Sequence, residues 1–483
     1  MPWDLVMSTP VAIVGVLLYW AVVAVVVVTD DREPTATLAW LLVLFAFPFV
    51  GLPFYFLFGR NWKRIARRSG RNRELHDHAA PTMRRVYERY ASAKDEALEL
   101  AEPLGLAPVL HTILASDSTP PLPAYDFEIL VDGAAKFAAL ERDLAAATDT
   151  IDIMYYSWER DALTAELTRI LLERMRAGVE VRMLNDLFGC LGYRKDEIRQ
   201  LKAAGAKVLF DVSDIRKLNY RNHRKIVVID GVLGYTGGIN VGQEYIDGKP
   251  RFASWRDTHC RFHGPAVADL QKLFAIRWLE RAGEDLFTER FFPAEYPEEG
   301  RRTLAQTVSQ GVEAEWDPGR RAHEVGIGSA EDRIWIQSPY FIPTPAIYQI
   351  MIDQALAGRD VRFMMTGVPD KTLAWRAAET FFLPLIEAGA KIYRYDAGFF
   401  HAKTMTIDGE ALVIGTMNMD IRSLALDKEL MVWLYDRDLA HAHEAIFLDD
   451  MTRCSQVTRE TIEAWSAAHR LRNAFSRLLS NLM

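Results

Sequence analysis

The chain is 483 residues long, half of them apolar and a quarter charged, with a net charge of −8 at pH 7. That length admits two large domains or one duplicated unit. The acidic balance argues against a nucleic-acid partner, which calls for a basic surface. Three scattered cysteines, Cys190, Cys260 and Cys454, make no disulfide framework and point to a reducing compartment.

Residues 1–60 read as a membrane hairpin, with spans at about 8–28 and 36–58. Met1 to Pro10 holds no Lys or Arg, and no small-residue cleavage site comes after the apolar run, so this is not a cleaved signal. The first span is broken only by Gly15 and Tyr19. The second is expected to bend at Pro48, Gly51 and Pro53, and it either crosses or re-enters. Residues 61–124 form a juxtamembrane segment and linker. Arg60, Lys63, Arg64, Arg67, Arg68, Arg71 and Arg73 place the downstream chain on the cytoplasmic side. The same cluster either marks topology alone or also holds anionic head groups. A charged helix is expected from about Pro81 to Ala101, then a Pro-rich connection.

From residue 125 the chain repeats itself. Ile151 to Tyr156 reads as a strand, followed by a helix, a strand from Gly178, a helix and a strand from Gly205. Ile334 to Tyr340 opens the same series, with later strands from Gly358 and Gly389. Nearly all-apolar strands alternating with helices imply parallel sheets covered by helices. The expected body is therefore two similar α/β/α lobes, 125–300 and 301–483, with C-terminal helices in the second. The segment 286–330 shows no clear periodicity. The end of the chain, from Trp465, is either a membrane-surface helix or an ordinary docking helix.

Each half leads to one motif. His223, Lys225 and Asp230 return as His401, Lys403 and Asp408, at identical spacings. Asn240 and Asn418 lie seventeen residues after each His, preceded by Gly237-Gly238 in one copy and Gly415-Thr416 in the other. On a strand, His and Lys two apart share a face. Asp230-Gly231 and Asp408-Gly409 are hairpin-turn dipeptides. The two aspartates are thus turn formers as well as candidate catalytic residues. The return strands bring Gly238, Thr416, Asn240 and Asn418 back to the His end, where glycine amides can approach a phosphate. A metal site is not expected, because an ammonium beside each imidazole repels a cation and no Cys or His cluster completes a shell. No cofactor is called for.

This doubled His-x-Lys-x4-Asp pattern resembles the phospholipase D superfamily. Over nearly the full length the chain is similar to its bacterial cardiolipin synthases, through Asp31 to Leu42, Asn222 to Gly231, Trp255 to His259, Gly264 to Val267 and Ser338 to Pro343. The resemblance implies duplicated α/β lobes in one pseudo-twofold body behind a transmembrane hairpin. It implies a phosphatidyltransferase that joins two phosphatidylglycerol molecules into cardiolipin and glycerol through a phosphohistidine. The alternative is a phospholipase D-type phosphodiesterase with water as acceptor. Phosphatidylglycerol and other membrane phospholipids are the expected partners, at the cytoplasmic membrane. The resemblance favours His223 as nucleophile and His401 as acid/base, and the near-symmetry leaves the reverse open. It also implies a carboxylate orienting each imidazole: Asp257 for His223, and Glu429 for His401.

Overall fold

The computed structural model describes residues 10–29, 34–56, 70–190, 195–211, 220–311 and 314–478. It divides into two compact units, residues 1–69 with 213–220, and residues 70–212 with 221–483.

In the first unit, helix Pro10–Thr29 carries no charge over its 20 residues. The expected second span is two short helices, Pro34–Ala46 and Pro48–Phe54. Pro48 lacks an N–H and suits the first position of a new helix, so the chain breaks at Phe47. Val23, Leu44 and Tyr55 pack together, and the Tyr19 hydroxyl donates to the Leu44 carbonyl at 2.7 Å. Among the described residues no helix is long and apolar enough to cross a membrane. The expected pair of spans is corrected accordingly. Most of the basic cluster, from Arg60 to Arg68, lies outside the described residues.

The second unit begins with helices Arg71–Arg89, Ser92–Ala101 and Ala107–Asp117. The helix expected from Pro81 to Ala101 is therefore two: the first starts earlier, with Pro81 inside it, and ends at Arg89, and the second ends at Ala101. In the first, the Tyr87 hydroxyl donates to the buried Asp269 at 2.7 Å, which docks it on helix Val267–Ala282.

The body is built on one 15-stranded sheet. In each half the β/α repeat supplies three parallel strands. These are Thr150–Tyr155, Glu180–Asp186 and Lys207–Asp211 in the first, and Arg333–Gln337, Asp360–Thr366 and Lys391–Tyr395 in the second. At each motif the expected hairpin follows the parallel set. Hairpins Ile226–Ile229/Leu233–Gly237 and Thr404–Ile407/Ala411–Gly415 join antiparallel to the parallel set. Asp230 and Asp408 turn them at φ 53° and 56°, with Gly231 and Gly409 next at 71° and 70°. Such consecutive positive φ values match the twist of the flanking strands.

Strands Leu122–Val131 and Arg302–Gln310 pair antiparallel at the centre and fuse the halves into one sheet. Strand Arg302–Gln310 lies in the stretch that showed no periodicity. It is buried on both faces and mixes polar with apolar residues: Gln306 donates to the Thr119 carbonyl at 2.7 Å, and on the other face the Ser309 hydroxyl donates to Asp117 at 3.0 Å. Upstream of it, Phe287, Phe291, Phe292 and Tyr296 are buried among core residues.

Candidate active site

The fused sheet lets each half complete the other. The segment before the first motif strand runs beside Lys428: His223 N–H donates to the Lys428 carbonyl at 2.9 Å, and Lys428 N–H to the Arg221 carbonyl at 2.8 Å. On the pseudo-symmetric side His401 N–H donates to the Arg256 carbonyl at 2.7 Å, and Phe399–Phe400 pairs parallel with Trp255–Arg256. Arg224 adds a bond from its Nε to the Glu429 carbonyl at 3.1 Å.

The consequence is a crossed pairing of imidazoles and carboxylates. His223 Nδ1 lies 3.0 Å from both oxygens of Glu429 and 3.2 Å from the Thr416 carbonyl. His401 Nδ1 lies 2.7 Å from Asp257 Oδ2. Sequence reading placed these carboxylates the other way round, each with the histidine of its own half. Sequence proximity misleads here because Trp255–Arg256, just before Asp257, pairs with the chain leading to His401, and Lys428, just before Glu429, pairs with the chain leading to His223. Both carboxylates are fully buried. Glu429 Oε2 also accepts from Thr416 Oγ1 at 2.5 Å, and Asp257 Oδ1 from Thr258 N–H at 2.7 Å. With carboxylate and carbonyl acceptors at Nδ1, the proton sits there and Nε2 keeps its lone pair.

Lys225 and Lys403 are buried beside the rings. Lys225 Nζ donates to the His223 carbonyl at 2.7 Å, and Lys403 Nζ to that of His401. Lys403 Nζ is also 4.0 Å from Asp257. Burial first, then the Lys225 and Lys403 ammoniums, hold His223 well below the ordinary imidazole range. Burial and the same two lysines do so for His401, and His223 itself adds to the effect. The four groups are thus one electrostatic cluster. Burial lowers Lys225 to about 7 and Lys403 to about 8. It raises Asp257 to about 6 and Glu429 to about 7.

The remaining sequence candidates divide. Asp230 accepts from Thr148 N–H and Oγ1 and from Asp149 and Thr150 N–H, at 2.8 to 2.9 Å. Asp408 does the same for Glu331, Asp332 and Arg333 N–H. Each sits at the far end of its strand, seven residues and roughly 20 Å of extended chain from its histidine. Each clamps the loop before the first strand of its half.

Gly238 and Thr416 do not offer their amides to a phosphate. Both are spent, on the Thr258 and Leu430 carbonyls at 2.8 Å. A Cβ at Gly238 would lie 2.0 Å from Asp257 Oδ1, so glycine is what lets that carboxylate in. Asn240 accepts from Ser157 N–H at 3.3 Å and donates to the Tyr245 hydroxyl at 3.0 Å. Asn418 is buried near the second motif's return strand.

Sequence reading missed the aromatic surround. Tyr156 packs edge-on to His223 at 5.0 Å between centroids, and Phe399, Tyr245 and Trp255 surround His401 at 5.6 to 6.3 Å. It also missed Lys371, whose charge acts on both imidazoles. No local motif marks these positions. Among the described residues no group of His, Cys, Asp or Glu is arranged to hold a metal ion.

Comparison with known proteins accords with this architecture. The family model described as "Cardiolipin synthase, PLD-like domain" matches residues 140–250 and 325–451. The model "Phospholipase_D-nuclease N-terminal" matches residues 16–60. Cardiolipin synthase from Geobacillus sp. (strain WCH70) is 34% identical over 95% of this chain and 91% of its own length. That of Listeria monocytogenes serotype 4b (strain CLIP80459) is 34% identical over 95% of this chain and 96% of its own. Among solved structures, phosphatidylserine synthase of Haemophilus influenzae Rd KW20 superposes with a TM-score of 0.59. It is 14% identical and covers 78% of this chain and 100% of its own, a likeness of fold. The chain belongs to the cardiolipin synthase family of the phospholipase D superfamily.

Proposed function

We propose that this chain is a phosphatidyltransferase that condenses two phosphatidylglycerol molecules to cardiolipin and glycerol through the paired imidazoles of His223 and His401. The crossed His–carboxylate pairs beside two buried ammoniums support this reading above any other observation.

In the first half-reaction the neutral Nε2 of one imidazole attacks phosphorus and a P–N bond forms. The bond from phosphorus to the departing glycerol oxygen breaks, and the other imidazolium gives that oxygen its proton. Two lysines balance two carboxylates, so this extra proton is favoured when the phosphodiester anion enters the site. In the second half-reaction a terminal glycerol hydroxyl of another phosphatidylglycerol gives its proton to the now neutral acid/base ring. Its oxygen attacks phosphorus, and the P–N bond breaks. Lys225, Lys403, Asn240 and Asn418 are proposed to hold the phosphoryl oxygens. His223 is the proposed nucleophile, by family likeness. Phosphatidylglycerol supplied in mixed micelles should yield cardiolipin and glycerol in equal amounts. Phosphatidic acid as the main product would overturn the transferase reading in favour of hydrolysis.

The first unit is proposed to attach the body to the cytoplasmic face of the cell membrane. Its uncharged 20-residue helix and the exposed Leu17, Leu18, Leu38, Leu42 and Phe45 support this, as do the arginines after residue 59. Recovery of the full chain in the soluble fraction of lysed cells would contradict it.

A further inference from the structure

Helix Ala467–Leu478 is turned inside out. A surface helix ordinarily buries its apolar stripe and exposes its polar one. Here Asn473 and Ser476 are buried, whereas Leu471, Phe475 and Leu478 are 72%, 61% and 79% exposed. These three recur at i, i+4 and i+7 and so form one stripe. What docks the helix is polar. Asn473 Nδ2 donates to Glu379 Oε2 at 2.7 Å, and His469 Nε2 lies 2.6 Å from the same oxygen. The Arg477 guanidinium covers the Phe381 ring at 4.6 Å. The helix is held without its apolar side.

We propose that the Leu471–Phe475–Leu478 stripe is a second membrane contact, lying flat on an anionic phospholipid surface beside the mouth of the active site. Charge complementarity chooses this occupant. From Ala464 to Met483 there is no acidic residue, while Arg470, Arg472 and Arg477 are present, in a chain whose net charge is −8. Arginines flanking an apolar stripe suit phosphate head groups over acyl chains. Continuity with the site is the second argument. The helix packs on helix Thr372–Glu379, whose Leu373 is also exposed and which begins just after Lys371, the lysine that acts on both imidazoles. A lipid layer resting on the stripe would thus present head groups near the catalytic cluster. The choice of lipid rests in part on the phosphatidyltransferase reading.

The test uses the full chain with Cys454→Ser and Phe475→Cys, carrying a nitroxide at 475 and reconstituted in vesicles. Cys190 and Cys260 are buried and stay unlabelled. With phosphatidylglycerol in the vesicles, oxygen should reach the label several-fold better than a water-soluble nickel complex. A label at Glu463→Cys should stay open to water. Access by the nickel complex at 475 would overturn the proposal. So would dipolar broadening between labels, which would mean that a second copy covers the stripe. This readout needs no turnover, so failure of the chemistry and failure of the surface are told apart. Leu471→Gln with Phe475→Gln should lower turnover on vesicles roughly tenfold or more and leave turnover of monomeric short-chain phosphatidylglycerol unchanged. Equal losses on both substrates would contradict a membrane role.

Discussion

Asp257→Asn isolates the crossed pairing. Asp257 Oδ1 accepts from Thr258 N–H at 2.7 Å and Oδ2 faces His401 Nδ1 at 2.7 Å. In the asparagine variant the oxygen must stay on Thr258, because the amide nitrogen cannot accept there. The NH2 group then points at His401 Nδ1 and donates to it. The ring proton is driven to Nε2, and the lone pair needed for acid/base exchange is lost. The equivalent change in a serine protease, where an amide also forces the wrong tautomer, lowers kcat about 10⁴-fold. The expected loss here is about 10³ to 10⁴, or roughly 4 to 5.5 kcal/mol in the barrier. Unfolding should not be the cause. Burial raises Asp257 to about 6, so its ionised form opposes folding and replacing it with a neutral amide removes no stabilising charge. The assay is cardiolipin formation, paired with long-range nitrogen–proton NMR of the labelled histidines. His401 should change tautomer and His223 should not, with the melting temperature within a few degrees. A tautomer change at His223 with His401 spared would refute the crossed pairing.

The same geometry predicts three further outcomes. Asp230→Ala removes four hydrogen bonds to residues 148–150 and should cost about 2 to 4 kcal/mol of stability. The folded fraction should keep its kcat within about threefold, and a kcat loss near that of a histidine variant would mean that Asp230 acts in catalysis. Gly238→Ala places a methyl 2.0 Å from Asp257 Oδ1, so the carboxylate must move off His401. Activity should fall by at least about 100-fold with the fold retained, as read by circular dichroism beside the product assay. The pH profile depends on the lysines. Each ammonium is present below its own pKa and lost above it, and burial has brought Lys225 and Lys403 down to about 7 and about 8. In the free enzyme kcat/KM should decline as pH rises through that range. The limb of kcat should sit higher, because a bound phosphodiester anion favours the ammoniums. A kcat/KM that stays flat well past pH 9 would show that these charges are not needed.

The motif carried most of the site because its chemistry is local. Two residues on one strand face and an Asp-Gly turn are short-range facts, and they located His223, Lys225, His401 and Lys403 and the two hairpins. The β/α series was legible for the same reason, since apolar strands such as Thr150–Tyr155 are buried along their whole length. What escaped was long-range or polar. Strand Arg302–Gln310 buries Gln306, Thr307 and Ser309 against partners more than a hundred residues away, so its sequence looks like loop. The exchange of Asp257 and Glu429 between halves depends on equally long-range pairings, of Trp255–Arg256 with Phe399–Phe400 and of Lys428 with Asn222. The spent amides of Gly238 and Thr416 become visible only once their partner strands are in place. In the first unit, mean apolarity suggested two long spans, but Pro48 divides the second.

That one cluster of two imidazoles acts on one phosphorus is tested most directly by trapping the covalent intermediate. Full-length protein is mixed with phosphatidylglycerol, quenched at alkaline pH where P–N bonds survive, and mapped by mass spectrometry. One histidine per chain, either His223 or His401, should carry the phosphatidyl group, and His223→Ala and His401→Ala should each abolish cardiolipin formation. Substantial turnover in either variant, or adducts at both histidines of a single chain, would contradict the shared site.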